Sequence, residues 1–258
     1  MITNYLIISI IISFIITLIY YKISNNNNLN VRDKILDYDN VRGVNNITQL
    51  VAAEIIMNNR IIEKFIEDGV NISLPDTSFI HPDTVFGKNV TIEPNVHIGH
   101  GVIIGNDVII KSFSYIEGAK IGNNVIIGPF ARIRPKTILA DDVRVGNFVE
   151  LKNSNISKSV KINHLSYIGD SSIGDNTNIG AGTITCNFDG VEKYKTKIGR
   201  NTFIGSNSSL IAPLEIDDNS YVASGSVINK NVPADSLAIS RAKQENKIGW
   251  AKKIKKRK

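Results

Sequence analysis

Residues 90–110 read VTIEPNVHIGHGVIIGNDVII. Ile92, Ile98, Ile104 and Ile110 recur there at every sixth position, and Val90, Val96, Val102 and Val108 stand two residues before them. Working outward, the series begins at Ile80 and Phe86 and reaches Ile116. It slips by one residue to Ile121, Ile127, Ile133, Leu139, Val145 and Leu151, then again to Ile156, Ile162 and Ile168, and again to Ile173 and Ile179. After a gap it returns as Ile198, Ile204, Leu210, Ile216, Val222 and Ile228. A period of six is neither that of a helix nor that of a coiled coil. It is a multiple of two, which suits a short strand followed by a sharp turn. Glycines such as Gly87, Gly99, Gly105 and Gly146 follow the aliphatic residues. With Asn and Asp they are expected to supply the corners, where φ > 0 is cheap for those residues. Three hexads make one triangular coil, and stacked coils bury an aliphatic column inside a parallel β-helix. The competing reading, an antiparallel sandwich of short strands, predicts less even turn spacing. Spacing alone does not set the handedness.

The chain has 258 residues, 42% hydrophobic and 21% charged, enough for one solenoid domain with appendages. Its formal charge is +6. Lys252, Lys253, Lys255, Lys256, Arg257 and Lys258 account for all of it, so the body has no electrostatic footprint for nucleic acid. That tail reads as a solvated terminus, with anionic lipid as its alternative partner. The single cysteine, Cys186, excludes an intramolecular disulfide framework.

Residues 5–21, YLIISIIISFIITLIYY, carry no charge. The stretch approaches the ~20 residues that span a bilayer, with Tyr20 and Tyr21 at the interface. It lacks the basic n-region and small-residue cleavage site of a signal peptide. Lys22, Arg32 and Lys34 follow it. The expectation is therefore a single-pass membrane anchor with the body of the chain on the cytoplasmic side. The domain plan reads as an anchor over 1–22, a linker over 23–45, a connecting helix over 46–70, the β-helix over 71–233, and an arm with the basic tail over 234–258. Within the connecting region Asn46 is the expected cap, Gln49 its reciprocal partner, and Gly69 the stop of a helix from about 47 to 68. The period fails over Thr185–Lys197, TCNFDGVEKYKTK, where the chain is expected to leave the coil as a loop.

There are four histidines. His97 and His100, in HIGHG, form a possible metal pair, but no cysteine or carboxylate cluster joins them in sequence. His164, in INHLSYIGD, lies just upstream of the ejected loop. A neutral imidazole suits the removal of a proton from an amine, and a structural histidine at a corner is the plainer alternative. Arg134 and Lys152 are one coil apart, so they stack on the same side and together suit a phosphate group. Two unrelated surface cations are the alternative there.

The segments GPFARIRPKT, VGNFVELKNS, NHLSYIGDSSIGDNTNIGAGTITCNFDG, KYKTKIG, FIGSNSSLIAP and LAISRAKQ resemble the C-terminal half of the bifunctional N-acetylglucosamine-1-phosphate uridyltransferase / glucosamine-1-phosphate acetyltransferase family. The resemblance covers about residues 42–250. It implies an all-β solenoid, a left-handed parallel β-helix of hexapeptide repeats, here preceded by one transmembrane helix and one connecting α-helix. It implies acetyl transfer from acetyl-CoA to the amine of glucosamine 1-phosphate, on the route to UDP-N-acetylglucosamine, with no metal needed for that step. Carried over by position, it makes His164 the catalytic base. Arg134, Lys152, Tyr167, Asn178 and Lys193 become sugar-phosphate groups, and Ala181, Asn187, Phe188, Ser206, Ser224 and Arg241 acetyl-CoA groups. Cys186 reads as a lining residue of that site. Phe188 departs from a usual tyrosine and Ser224 from a common alanine. The family assembles as trimers with sites between neighbouring prisms. Its glycine-rich nucleotidyltransferase loop has no counterpart here. Asn45 or Asn46 reads as a remnant of that half, and uridylyl transfer would fall to a separate protein. Another phosphorylated or nucleotide-linked amino sugar as acceptor, or an inactive membrane-tethered trimeric scaffold, are the alternatives.

Overall fold

The computed structural model describes residues 42–255. It divides into two units, one ending at Ala53 and one beginning at Glu54.

Helix α1, Ile47–Glu67, starts in the first unit. Asn46 Oδ1 accepts the Gln49 N–H at 2.9 Å. Gln49 Oε1 reaches back to the N–H of Asn45, at 2.7 Å, rather than to Asn46. The capping box is thus displaced by one residue, and both side chains still satisfy N–H groups at the helix start.

In the second unit α1 ends in a Schellman motif. The Gly69 N–H donates to Ile66 O and the Val70 N–H to Phe65 O, each at 2.9 Å, with Gly69 at φ +95°. Of the expected apolar stripe, Ile62 and Phe65 are buried, while Leu50, Ile55 and Ile66 are exposed. Only the last turns of α1 join the core. There Phe65 meets Phe86 edge-on, with ring centroids 5.0 Å apart.

Strands of two to four residues then follow from β1, Asn71–Ile72, to β27, Leu237–Ala238. They fall into three parallel sheets of ten, nine and eight strands, here the first, second and third. Each strand pairs with the strand one coil later, as in Ile92↔Ile110 and Ile98↔Ile116. The spaced aliphatic residues form the core, with Ile80, Ile92, Ile98, Ile110, Ile133 and Ile162 fully buried. This is a left-handed parallel β-solenoid. It continues past residue 233, because Tyr221 pairs with Leu237 and the Val227 N–H reaches Ser240 O. Helix α2, Trp250–Lys255, occupies the start of the basic tail.

The glycines and the corners have different jobs. Among the described residues, most left-handed corners are held by Asn and Asp, as at Asn89, Asp107, Asn124 and Asp142. Their side chains also bridge coils, with Asn89 donating to Asp107 at 3.0 Å and Asn124 to Asp142 at 2.6 Å. The glycine after the inward aliphatic residue sits one or two positions earlier and, except at Gly128, is not at positive φ. It is glycine because a Cβ would run into the neighbouring coil. At Gly146 that Cβ would overlap the backbone carbonyl of Asn163, and at Gly205 the backbone N of Ser224.

One expectation is corrected. Among the described residues no helix is long and apolar enough to cross a membrane. Helix α1 is interrupted by Glu54, Arg60, Glu63 and Lys64, and α2 has only 6 residues. The described residues thus give no support to the transmembrane helix of the expected fold class, nor to the single-pass, membrane-anchored localisation with a cytoplasmic-side catalytic domain. Residues 1–22 themselves lie outside the described residues.

Candidate active site

The strands of the first sheet end in a corner column of Asn147, His164, Ala181, Ser206 and Ser224, one residue per coil. The register follows from Asn147↔His164, Ile162↔Ile179, Ile179↔Ile204 and Ile204↔Val222. His164 is exposed, and its Nδ1 lies 2.8 Å from Asn147 Oδ1. An amide oxygen only accepts, so Nδ1 carries a proton, and in the neutral ring the lone pair is then on Nε2. The Gly182 N–H, at 3.4 Å, and the Ser166 hydroxyl, at 2.9 Å, donate to the His164 carbonyl and tie the strand end down. Further along the column, Arg241 Nη1 donates to Ser224 O at 2.7 Å. At ~4.8 Å per coil, the track from His164 to Ser224 is about 14 Å long.

The second sheet separates this column from a second group at its far edge. Arg134 and Lys152 lie on adjacent coils, as the register Arg132↔Glu150 requires. Each is already paired. Arg134 Nη1 meets Glu150 Oε1 at 2.8 Å, and Lys152 Nζ meets Asp170 Oδ2 at 3.3 Å. Asp170 is 8% exposed and also accepts from Asn153 Nδ2, at 2.6 Å, and from Asn187 Nδ2. Burial pushes its pKa up. The Asn153, Asn187 and Lys152 donors, with the Lys152 charge, more than offset this and hold it below the ordinary carboxylate value. Glu150 and Tyr167, neighbours in register, lie on the sheet between the two edges. The Tyr167 ring lies over its own strand, its hydroxyl filling the space a Cβ on Gly169 would need.

The ejected loop is a small hairpin. Phe188 and Lys193 bridge antiparallel, and the Tyr194 N–H donates to Asn187 O at 2.8 Å. Asp189 Oδ1 accepts the N–H groups of Val191, at 2.8 Å, and Glu192, at 2.7 Å, which holds the Asp189 carboxyl below its ordinary value. Phe188 and Lys193 are exposed, while Asn187 is buried at the base.

Within one chain the structure brings Ala181, Ser206, Ser224 and Arg241 into line with His164. It groups Asn187 with Lys152 at the opposite edge, with Phe188 and Lys193 on the hairpin above. Asn178, half-buried, starts the first-sheet strand of the coil after His164 and pairs with Lys161. Among the described residues no hydrogen bond links His164 to Arg134 or Lys152. Sequence reasoning missed Asn147, Glu150 and Asp170. Asn147 precedes His164 by 17 residues and Asp170 follows Lys152 by 18, the length of one coil, and that spacing was the signal.

The family model described as "GMPPB C-terminal domain" matches residues 63–156, and "Bacterial transferase hexapeptide (six repeats)" matches residues 195–230. Together with the three parallel sheets these matches describe a hexapeptide-repeat solenoid. Within that class the chain is homologous to the bifunctional protein GlmU, as the quoted segments implied. It is 51% identical over 218 residues to GlmU of Zymomonas mobilis, covering 84% of this chain and 48% of that protein. It is 54% identical over 215 residues to GlmU of Rhizobium rhizogenes, covering 83% and 48%. The chain spans about half the length of the curated relatives it matches. A crystal structure of a UDP-N-acetylglucosamine acyltransferase aligns at TM-score 0.46 and 18% identity, covering 66% of this chain and 71% of that one.

Proposed function

We propose that the chain transfers the acetyl group of acetyl-CoA to the amine of glucosamine 1-phosphate, giving N-acetylglucosamine 1-phosphate and free CoA. The observation that carries this reading is the hydrogen bond between Asn147 and His164, at the head of the column Ala181–Ser206–Ser224. It leaves Nε2 as the acceptor of the neutral ring, on an exposed histidine.

In this mechanism the sugar amine attacks the thioester carbon while His164 Nε2 takes the amine proton. The tetrahedral intermediate collapses, the C–S bond breaks, and the leaving thiolate takes the proton back from the imidazolium. The backbone N–H of Ala181 is the proposed donor to the oxyanion. Ser206, Ser224 and Arg241 continue the track along which the CoA arm would lie. Arg134 and Lys152 would release Glu150 and Asp170 in part to hold the sugar phosphate, with Tyr167, Asn178 and Lys193 around the sugar.

The two groups of residues stand at opposite edges of one sheet, which favours a site shared between prisms. One chain supplies its His164 edge, and a neighbour supplies its Asn187–Phe188 edge. A homotrimer meets this need.

A thiol-release assay with purified full chain, acetyl-CoA and a panel of amino sugars tests the proposal. Release is expected with glucosamine 1-phosphate and at least tenfold less with glucosamine or with a nucleotide-linked amino sugar. Preference for a different acceptor reassigns the substrate, and no release with any acceptor removes the acetyltransferase reading.

A further inference from the structure

We propose that His81, Asp83 and His100 form a binding site for one divalent transition-metal ion of the zinc type, separate from the His164 site. His81 and Asp83 lie in the turn after β2, Phe79–Ile80, and His100 lies in the stacked turn after β5, His97–Ile98. The two imidazoles and the carboxylate therefore come from consecutive coils at one corner. Their ligand atoms all lie within 4.8 Å of one another.

The carboxylate organises the cluster. His81 Nδ1 is 2.5 Å from Asp83 Oδ1, and His100 Nδ1 is 2.5 Å from Asp83 Oδ2. The Gly101 N–H donates to both oxygens, at 3.0 and 3.3 Å, and fixes the carboxylate plane from behind. The imidazole rings meet edge to face, with centroids 5.3 Å apart and an interplanar angle of 81°, and each Nδ1 meets its own oxygen of the one carboxylate.

Metal–ligand bonds of ~2.0–2.2 Å in tetrahedral array need ligand atoms about 3.4 Å apart. The two 2.5 Å contacts to Asp83 would open to that spacing, with an ion taking the place of the proton on each Nδ1. Two nitrogens and one oxygen suit zinc, cobalt or nickel rather than magnesium or calcium, which prefer oxygen alone. The His100 side chain is 78% exposed, so solvent reaches the cluster. Only three ligands, with the fourth open, is the pattern of an accessible rather than a closed site.

The pair that sequence spacing picks out, His97 and His100, is not this site. His97 points from the sheet face and stacks between Phe79, at 4.7 Å, and Tyr115, at 4.4 Å. The carboxylate that sequence reading lacked is Asp83, one coil earlier. An ion here would cross-link two coils near the N-terminal end of the solenoid, where coils have the fewest stacked neighbours.

The test titrates metal-stripped full chain with Zn²⁺ against a chromophoric chelator, and in parallel with Co²⁺ read by visible absorption. Wild type is expected to take up one equivalent per chain and to gain thermal stability with Zn²⁺. His100→Ala and Asp83→Asn are expected to weaken uptake at least ~10-fold, the scale on which even outer-sphere changes act. His97→Ala is expected to bind as wild type does. Circular dichroism checks folding, and if Asp83→Asn misfolds, the exposed His100→Ala decides. Absence of saturable uptake, equal affinity in His100→Ala, or loss in His97→Ala would overturn the site.

Discussion

Asn147 Oδ1 sits 2.8 Å from His164 Nδ1, one coil before it in the same corner column. The amide orients the ring without adding charge, so the imidazole keeps a neutral neighbour. His164→Ala is expected to cut turnover by ~10²–10⁴-fold while leaving acetyl-CoA affinity nearly unchanged. Steady-state kinetics with an equilibrium measurement of acetyl-CoA binding check this, and near-normal turnover would remove His164 from the role. Asn147→Asp places a carboxylate against the ring and favours the imidazolium. Activity needs the neutral base, so the acid limb of the pH–rate profile is expected to move to higher pH. A limb that stays in place would mean that Asn147 does not hold the catalytic ring.

Asp170 draws Lys152, Asn153 and Asn187 together at the other edge. Asp170→Asn is expected to destabilise the fold by about 2 kcal/mol, the scale of buried hydrogen bonds to a charged group. Its KM for the sugar phosphate should change as Lys152 loses its anchor. The sign of the pH effect follows from its depressed pKa. The folded carboxylate binds its proton less readily than the ordinary value of 3.8, so its contribution is present above that pH and is lost as pH falls through the folded value. Lys136 and Lys195 line the same cleft. Thermal melts from neutral to acid should show the gap between wild type and Asp170→Asn closing below about pH 3.8. A gap independent of pH would show that the carboxylate charge is not what stabilises this corner.

Two glycines separate the two roles glycine plays here. Gly146→Ala must push a Cβ into the Asn163 carbonyl and is expected to cost ~3 kcal/mol or to prevent folding. Gly225 has φ +73° with nothing within 4 Å of an added Cβ. Gly225→Ala then bears only the left-handed strain of ~1–2 kcal/mol. Denaturant midpoints of the two variants check the order, and equal costs would contradict it.

Phe113, Phe130 and Phe148 occupy left-handed corners at φ 61°, 56° and 55°, where asparagine or glycine would be cheaper. Their rings stack at 4.9 and 5.2 Å and remain about half exposed, and Leu165, beside His164, continues the column. A strained, exposed apolar ladder flanking the proposed site fits burial against a neighbouring prism. Phe130→Asp is expected to shift the proposed trimer towards monomer and to lower activity with it, as read by light scattering and thiol release. A variant that stays trimeric and active would place the contact elsewhere.

The inward column was legible because Ile80 to Ile228 must all face one way for a six-residue period to bury anything. Helix α1 was legible from Asn46 and Gly69, whose cap and stop depend only on local chain geometry. The glycine after each inward aliphatic residue was misassigned, because its cause is the next coil's backbone, a neighbour some 18 residues away that local turn rules do not see. The partners Asn147, Glu150 and Asp170 escaped for the same reason. Each becomes visible only when the one-residue slips in the period are placed, since a shift of one moves a side chain from one rung mate to another. The carboxylate beside His100 was hidden in the same way, in a turn one coil earlier.

Because consecutive coils repeat at a constant rise, the corner column acts as a ruler graduated in steps of ~4.8 Å. Its zero mark is the imidazole at residue 164 and its far end the guanidinium at 241. Adding one whole coil between Ala181 and Ser224 would lengthen that scale by one graduation while leaving every other contact repeated in kind. On the proposed reading, the length of thioester carrier that fits would be set by counting, in whole turns, rather than by the shape of any one side chain.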